Sequence, residues 1–321
     1  MKSYHEFAGN KGLINGLFRS IETGRSPHAL IFVGPEGSGK KTLSSLYARA
    51  LLCQGTTPPC NRCPSCSKVL SHNHPDLFII STEKKRKTIG VESILSLQRQ
   101  AIIKPNESGR KVFVIEKAQS LTVAAQNKLL KILEEPPQYL SILLLCENTA
   151  ALLPTVISRC MKLKMPRVSN EEIVGILEQQ GVDTVAANKT ATMARGIVGR
   201  AITLSQDAAW HGEVKESADL FFALDTPGGH VEAFAALTKD RDRGRRTLMI
   251  WQSLLRDCLM VSSGHRQQLE HPDELKRLMT YTKTHSGDSI VTKLDRLLET
   301  ERRLNASAQY PLSIDWLLSA I

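Results

Sequence analysis

Seven residues, Gly34-Pro35-Glu36-Gly37-Ser38-Gly39-Lys40, carry the GxxxxGK spacing of a phosphate loop. They follow the apolar run Ala29–Val33 and precede a helical pattern over Lys40–Leu52, which is the context such a loop needs. Glycines let backbone N–H groups converge on phosphate oxygens. The helix N-terminus adds positive potential, and Lys40 reaches the outer phosphates. The bland alternative is a loop that only turns the chain between strand and helix. The next position should be Ser or Thr, whose hydroxyl holds Mg²⁺, but it is Lys41, and Thr42 comes one place later. One residue rotates a helical side chain by about 100°, so Thr42 is not an automatic replacement. A lysine at the metal position also repels Mg²⁺.

The second nucleotide element is an apolar strand ending in acids. Val112-Phe113-Val114-Ile115 ends in Glu116-Lys117. Glu116 can serve on the metal side, but a protonated Lys117 cannot act as a base toward water. ATP with Mg²⁺ is therefore the cofactor the loop invites, and two separate departures argue against its turnover.

Cys53, Cys60, Cys63 and Cys66 crowd four thiols into one short stretch, with Pro58, Pro59 and Pro64 supplying turns. Zinc favours tetrahedral thiolate sites, and four protein ligands leave no open position for catalysis. An iron–sulfur cluster or a redox role is the first alternative, and unliganded thiols the second. His72 and His74 lie close by in sequence, but four cysteines already suffice. The other cysteines, Cys146, Cys160 and Cys258, are scattered. An odd total of seven with no apparent leader argues against a disulfide framework.

The elements that must position these residues alternate. Strand patterns at Ala29–Val33, Leu77–Ile80, Val112–Ile115 and Ile142–Cys146 are interleaved with helical patterns at Lys40–Leu52, Val91–Gln100 and Ala124–Glu135. That alternation predicts a parallel sheet with helices on its faces. From about Pro166 the pattern turns helical. Asn170 is placed to cap a helix over Glu171–Gln180, a second is expected over Thr184–Arg195, and a third from about Gly199. Beyond about Gln206 the chain stays helical, with amphipathic stretches at Thr247–Val261 and Ile290–Leu304. The charged, glycine-containing stretch Lys239–Arg246 suits a connection.

A chain of 321 residues with 41% hydrophobic and 23% charged residues fits a globular protein of two or three domains. The net charge of +10 is compatible with a polyanion partner, and equally with a solvated basic surface. The run Lys84-Lys85-Arg86-Lys87 reads as a solvated loop more readily than as a DNA contact. Lys2, His5, Glu6, Lys11 and Arg19 interrupt any apolar leader, and no run approaches the ~18 apolar residues of a membrane span. A cytoplasmic protein without membrane partners is expected.

Gly34–Lys40, the four cysteines, the run Asn127-Lys128-Leu129-Leu130-Lys131-Ile132-Leu133-Glu134-Glu135-Pro136-Pro137 and the triplet Ser158-Arg159-Cys160 occur in that order. Together they resemble the bacterial DNA polymerase III clamp-loader ATPases, the tau/gamma subunit and its relative the delta prime subunit. The resemblance is specific over about residues 1–205. Tau/gamma subunits have an intact loop and an Asp-Glu pair on the second strand. The departures at Lys41, Glu116 and Lys117, the length, and an ending from Tyr310-Pro311-Leu312 to Trp316-Leu317-Leu318 point to the delta prime type.

The resemblance implies a RecA-like AAA+ P-loop domain over residues 1–164, a small helical lid over 165–206 and an all-helical collar over 207–321. It implies partners too: tau/gamma and delta subunits in a five-membered ring, and through them the sliding clamp and primed DNA. In the family the arginine of Ser-Arg-Cys reaches a neighbour's ATP as an arginine finger, a role carried here to Arg159. From the residues alone, a pairing of Arg159 with an acid of its own domain is the plainer reading. Asn148 falls at the family's sensor 1 position and Arg200 at its sensor 2 position. With Gly34, Gly37, Gly39, Lys40, Thr42 and Glu116 they outline a vestigial nucleotide site. Three functions compete: a structural ring subunit that donates Arg159, an ATP-hydrolysing motor subunit, and a zinc-dependent DNA-binding module with a relic loop.

Overall fold

Four apolar runs and the mixed edge segment Met161–Lys164 make the sheet. A computed structural model of the chain describes residues 11–82, 88–206, 210–266, 269–305, 308–319 and 321; the basic run at 84–87 lies outside these. The strands are β1 (Ala29–Val33), β2 (Leu77–Ile80), β3 (Lys111–Ile115), β4 (Leu140–Cys146) and β5 (Met161–Lys164). They pair in parallel in the order β2-β3-β4-β1-β5. Every residue of β1, β3 and β4 is buried, as central strands covered on both faces must be. The edge strands are half-buried or alternate, and β5 carries Lys162 and Lys164 outward, which blunts its free edge.

The helices are α1 (Lys11–Glu22), α2 (Lys40–Leu52), α3 (Pro64–Leu70), α4 (Val91–Ile102), α5 (Val123–Glu134), α6 (Pro154–Ile157), α7 (Asn170–Gln179), α8 (Thr184–Ala194) and α9 (Val198–Gln206). After them come α10 (Trp210–Ala223), α11 (Gly229–Lys239), α12 (Arg241–Ser262), α13 (Leu275–Thr284), α14 (Gly287–Asn305) and α15 (Tyr310–Leu318). The parallel sheet with its covering helices is the RecA-like AAA+ fold, and the rest of the chain is mostly helical, as expected. Register sets the site. Val33 lies beside Cys146 and Ile115 beside Leu144, so the segments after β1, β3 and β4 all leave the carboxyl edge of the sheet. That edge is where open parallel sheets bind ligands.

The chain divides into two compact units. One comprises 1–180 with 194–202, and the other 181–193 with 203–321. The first has two apolar layers, one on each face of the sheet. Leu30, Phe32, Val112 and Leu143 pack with α1 and α2, whereas Ile31, Phe113, Ile142 and Leu144 pack with α4 and α5. The second is built on Trp210, Phe221, Trp251 and Tyr281, and the Trp251 indole N–H donates to the Ser217 carbonyl at 2.9 Å.

Two local expectations are corrected. Ser169, not Asn170, caps α7: its hydroxyl accepts from the Glu172 N–H while Glu172 reaches back to the Ser169 N–H, a reciprocal capping box. The stretch Lys239–Arg246 is not a connection beyond Asp240. Asp240 caps α12 through the N–H groups of Asp242 and Arg243, and Arg241–Arg246 form its first turns. Gly244 serves packing rather than a break, since a Cβ there would stand 2.1 Å from the Tyr310 hydroxyl and 2.4 Å from the Leu237 carbonyl oxygen. Helices α1, α3 and α6 and strand β5 go beyond the elements expected from periodicity.

Candidate nucleotide site, cysteine cluster and surface arginine

The phosphate loop is built by backbone geometry. Gly37 and Gly39 have φ of +76° and +86°, the left-handed region where a side chain is strained. Gly34 continues β1, its N–H donating to the Cys146 carbonyl at 3.1 Å, and a Cβ there would meet Met165 at 2.8 Å. Gly39 then opens α2, a helix of 13 residues. The Lys40 ammonium turns back on the loop, donating to the Gly34 and Pro35 carbonyls at 2.6 and 2.8 Å. Burial pulls its pKa below the ordinary lysine range, and the charge of Glu147 works against that pull. Glu147, just past β4, was not singled out in the sequence. Its only sequence signal is its place at the end of an apolar strand.

The metal side of the site departs from a magnesium centre. Lys41 lies one residue into α2 and its ammonium sits 2.9 Å from Glu116 Oε2, at the end of β3. Those two positions are the ones that would hold Mg²⁺ between hydroxyl and carboxylate. A divalent cation about 3 Å from an ammonium faces roughly 3 kcal/mol of repulsion even at the dielectric of water. The donor set does not fit Mg²⁺. Thr42 is exposed on the next face of α2 and does not take over. Lys117 is exposed, with its backbone in the left-handed region at φ 50°. No acid follows Glu116 to polarise a water.

Asn148 is exposed and uses its Oδ1 to accept from the Ala150 N–H at 3.1 Å, closing its own loop beyond β4. Arg200 is half-buried near the start of α9. Its backbone N lies 3.1 Å from where a Cβ on Gly37 would stand, and beside it the Gly199 N–H donates to the Gly37 carbonyl at 2.9 Å. A Cβ on Gly199 would stand 2.8 Å from Gly37 Cα and O, so the bare backbones fix this approach. Sequence reasoning singled out Arg200 and passed over Gly199, whose signal is only its recurrence as the second glycine of Gly196-Ile197-Val198-Gly199.

The four cysteines converge. The Sγ atoms of Cys53, Cys60, Cys63 and Cys66 all lie within 4.8 Å of one another, and those of Cys60 and Cys66 are 4.0 Å apart. A tetrahedron of Zn–S bonds near 2.3 Å places sulfurs about 3.8 Å apart, so this set can hold a metal ion with little adjustment. Backbone N–H groups already point at sulfur: Gly55 and Cys60 to Cys53 Sγ at 3.3 Å, and Cys66 to Cys63 Sγ at 3.4 Å. The Arg62 N–H is the first cause that draws the Cys60 thiol down to about 6, while burial pushes the Cys53 and Cys66 thiols up. His74 is not in the set. Its Nδ1 accepts from the Asp76 N–H, so its Nε2 carries the proton and faces the Ser65 and Ser108 hydroxyls. Ser65 and Ser108 both donate to the Leu52 carbonyl, tying the cluster to the end of α2.

Arg159 follows the short helix α6 and is 37% exposed. Its NH2 group lies 2.7 Å from Glu134 Oε1 at the end of α5, and its NH1 donates to the Thr155 carbonyl at 3.0 Å. The pairing with an acid of its own domain is thus present. Cys160 packs against the sheet core, and burial pushes its thiol up to about 12.

Residues 9–169 match the protein family described as "DNA polymerase III, delta subunit". That is half of the chain, and it takes in the phosphate loop, the cysteine cluster and Arg159. The chain belongs to this clamp-loader family. Within it, the chain is similar to DNA polymerase III subunit delta' of Bacillus subtilis (strain 168), at 28% identity over 297 residues, 91% of this chain and 89% of that protein. It is 40% identical over 153 residues to the subunit delta' of Yersinia pestis, 46% of this chain and 45% of that one. A DNA polymerase III subunit gamma of Buchnera aphidicola is 27% identical over 213 residues, 64% of this chain and 57% of its own. The chain thus spans under two thirds of the latter two relatives. A clamp-loader subunit of DNA polymerase III is the identity these relatives support. No helix among the described residues is long and apolar enough to cross a membrane.

Proposed function

We propose that the chain is a delta prime-type subunit of the clamp loader. It braces a ring with tau/gamma and delta subunits, contributes Arg159 to a neighbour's ATP, and leaves hydrolysis to that neighbour. The observation that carries this reading is the ion pair between Lys41 and Glu116, which puts the chain's own cation where a motor subunit needs magnesium. Lys117, in place of a second acid, supports it independently. The near full-length likeness to a delta' subunit favours the same choice. In this reading residues 1–164 form the ATPase-like domain, 165–206 the lid and 207–321 the ring-forming collar, and the ring acts in the cytoplasm on the sliding clamp and primed DNA. The cysteine cluster holds a structural zinc ion, supported by four convergent sulfurs with N–H donors around them.

Arg159 suits the finger role on chemical grounds. A guanidinium carries five donors in a fixed plane, and the Glu134 and Thr155 contacts orient it while leaving donors for a phosphoryl group. The test is steady-state ATPase of the isolated chain and of a complex reconstituted with tau/gamma and delta. The expected result is no turnover by the isolated chain and a strongly reduced complex rate with Arg159→Ala. Turnover by the isolated chain at the rate of a motor subunit overturns the reading, and an unchanged complex rate removes the finger.

A further inference from the structure

We infer that Lys41 is the built-in cation of this phosphate loop: its ammonium holds the metal's place beside Glu116, so the loop takes a nucleoside triphosphate without a divalent ion. The misfit between this site and Mg²⁺ is the starting point. A degenerate loop can fail by loss of the cradle, of the lysine, or of the metal. Here the glycines of the cradle keep their conformation, with the Ser38 N–H donating to the Pro35 carbonyl at 3.2 Å within the loop. Gly37 and Gly39 keep the left-handed backbone that turns N–H groups toward a phosphate, and Gly39 opens a helix long enough to carry a dipole. Lys40 is in place at the loop carbonyls, from which an incoming phosphate can draw it.

Only the metal half has changed, and it has changed by replacement rather than loss. An ammonium has three N–H donors. One is directed at Glu116 at 2.9 Å, and the others are available to phosphate oxygens at the mouth of the loop. Glu116 is the more buried partner, at 22% exposure against 69% for Lys41, so it anchors the flexible lysine over the site. The pair keeps a positive charge beside the outer phosphates and keeps Glu116 from facing them as a bare carboxylate. A further polar atom awaits a partner, because the Ser38 hydroxyl oxygen within the loop is buried with no hydrogen-bond partner in the structure. Lysine supplies charge as a single point and does not organise a water for attack as a metal shell does. The outcome is a loop that holds a nucleoside triphosphate unreacted. This inference rests on the reading of the chain as a non-hydrolysing subunit.

The test measures ATP binding to the isolated full-length chain, with EDTA and with excess Mg²⁺, by calorimetry. Inorganic tripolyphosphate serves as competitor, to separate recognition of the phosphates from that of the nucleoside. Mn²⁺ in place of Mg²⁺ gives a second readout, the manganese carried with the nucleotide-loaded protein through gel filtration and counted by electron paramagnetic resonance. The expected result is saturable ATP binding in EDTA that excess Mg²⁺ weakens, because chelation of the phosphates in solution competes with the loop, with no Mn²⁺ retained on the protein. Lys41→Thr should make binding depend on Mg²⁺ by about tenfold or more and retain Mn²⁺ with the nucleotide. Tightening of the wild-type chain by about tenfold with Mg²⁺, no saturable binding in EDTA, or a Lys41→Thr chain indifferent to metal each overturns the inference. Phosphate release is measured in the same samples. Turnover there with metal-independent binding intact sinks the non-hydrolysing reading alone.

Discussion

Two ion pairs bracket helix α5, and they differ in what they do with a cation. At the chain segment entering it, Lys41 reaches Glu116 after β3; at its last residue, Glu134 holds Arg159. Both pairs are short, at 2.9 and 2.7 Å, and both are partly exposed, so neither contributes more than about 1 kcal/mol to the fold. Their reasons for existing are therefore positional. The lysine pair closes a metal position inward, at the carboxyl edge of the sheet. The arginine pair presents a guanidinium outward, on the surface beyond α6. A flexible point charge serves the first task and a planar fork the second. In the proposed reading, one AAA+ unit has given up its own chemistry at one end of a helix and keeps, at the other, a group suited to a neighbour's.

The contrast is sharpest in catalysis. Replacing Arg159 with Ala should lower the ATPase of the reconstituted complex by about 10³, roughly 4 kcal/mol of transition-state stabilisation. Arg159→Lys should recover little of it, because charge without the planar fork is not the same ligand. Metal removal comes next. Cys63→Ser or strong chelation should release one zinc per chain and lower the stability of the sheet unit by several kcal/mol in denaturant unfolding, since metal binding and local folding are one equilibrium.

A buried carboxylate provides the counterpart to both exposed pairs. Asp257, fully buried in α12, accepts from the Glu270 and His271 N–H groups at 3.0 and 2.7 Å, yet burial pushes its pKa up to about 6. The folded chain then keeps a proton that the unfolded chain has lost above about pH 4. Stability from this group is full below about pH 4 and falls as pH rises to about 6. The difference between wild type and Asp257→Asn should move by roughly 3 kcal/mol against wild type over that window, read from urea midpoints.

Smaller effects test the loop. Gly199→Ala puts a Cβ against Gly37 backbone on both Cα and O and should cost about 1–3 kcal/mol in the unfolding of the sheet unit. Glu134→Gln should change stability by no more than about 1 kcal/mol, and a larger loss would show that this pair is structural after all.

Much of the fold was legible because its signals are local. Strands β1 to β4 are largely apolar runs, α2 and α5 carry a helical period, and Pro136-Pro137 stop α5 where expected, whereas β5 with its two lysines has no such signal. The cap of α7 was misplaced by one residue because Ser169 and Asn170 are both good caps, and only the Glu172 return bond separates them. The start of α12 was hidden by Gly244. A glycine reads as a break in one dimension, and its reason is the Tyr310 hydroxyl and Leu237 carbonyl brought against it from distant sequence.

The site divides the same way. Residue types alone determined that the loop could cradle phosphate, that Lys41 and Lys117 stand where a hydroxyl and a second acid are expected, and that four cysteines suit a metal, because these depend on chemistry and short spacing. Tertiary structure decided what each group faces. It paired Lys41 with Glu116 across 75 residues of chain, set Gly199 on the loop beside Arg200, turned His74 away from the cysteines, and gave Arg159 the carboxylate of Glu134. Those contacts follow from the register of the parallel strands and the packing of helices on them. Long-range closure of that kind has no periodic trace in the sequence.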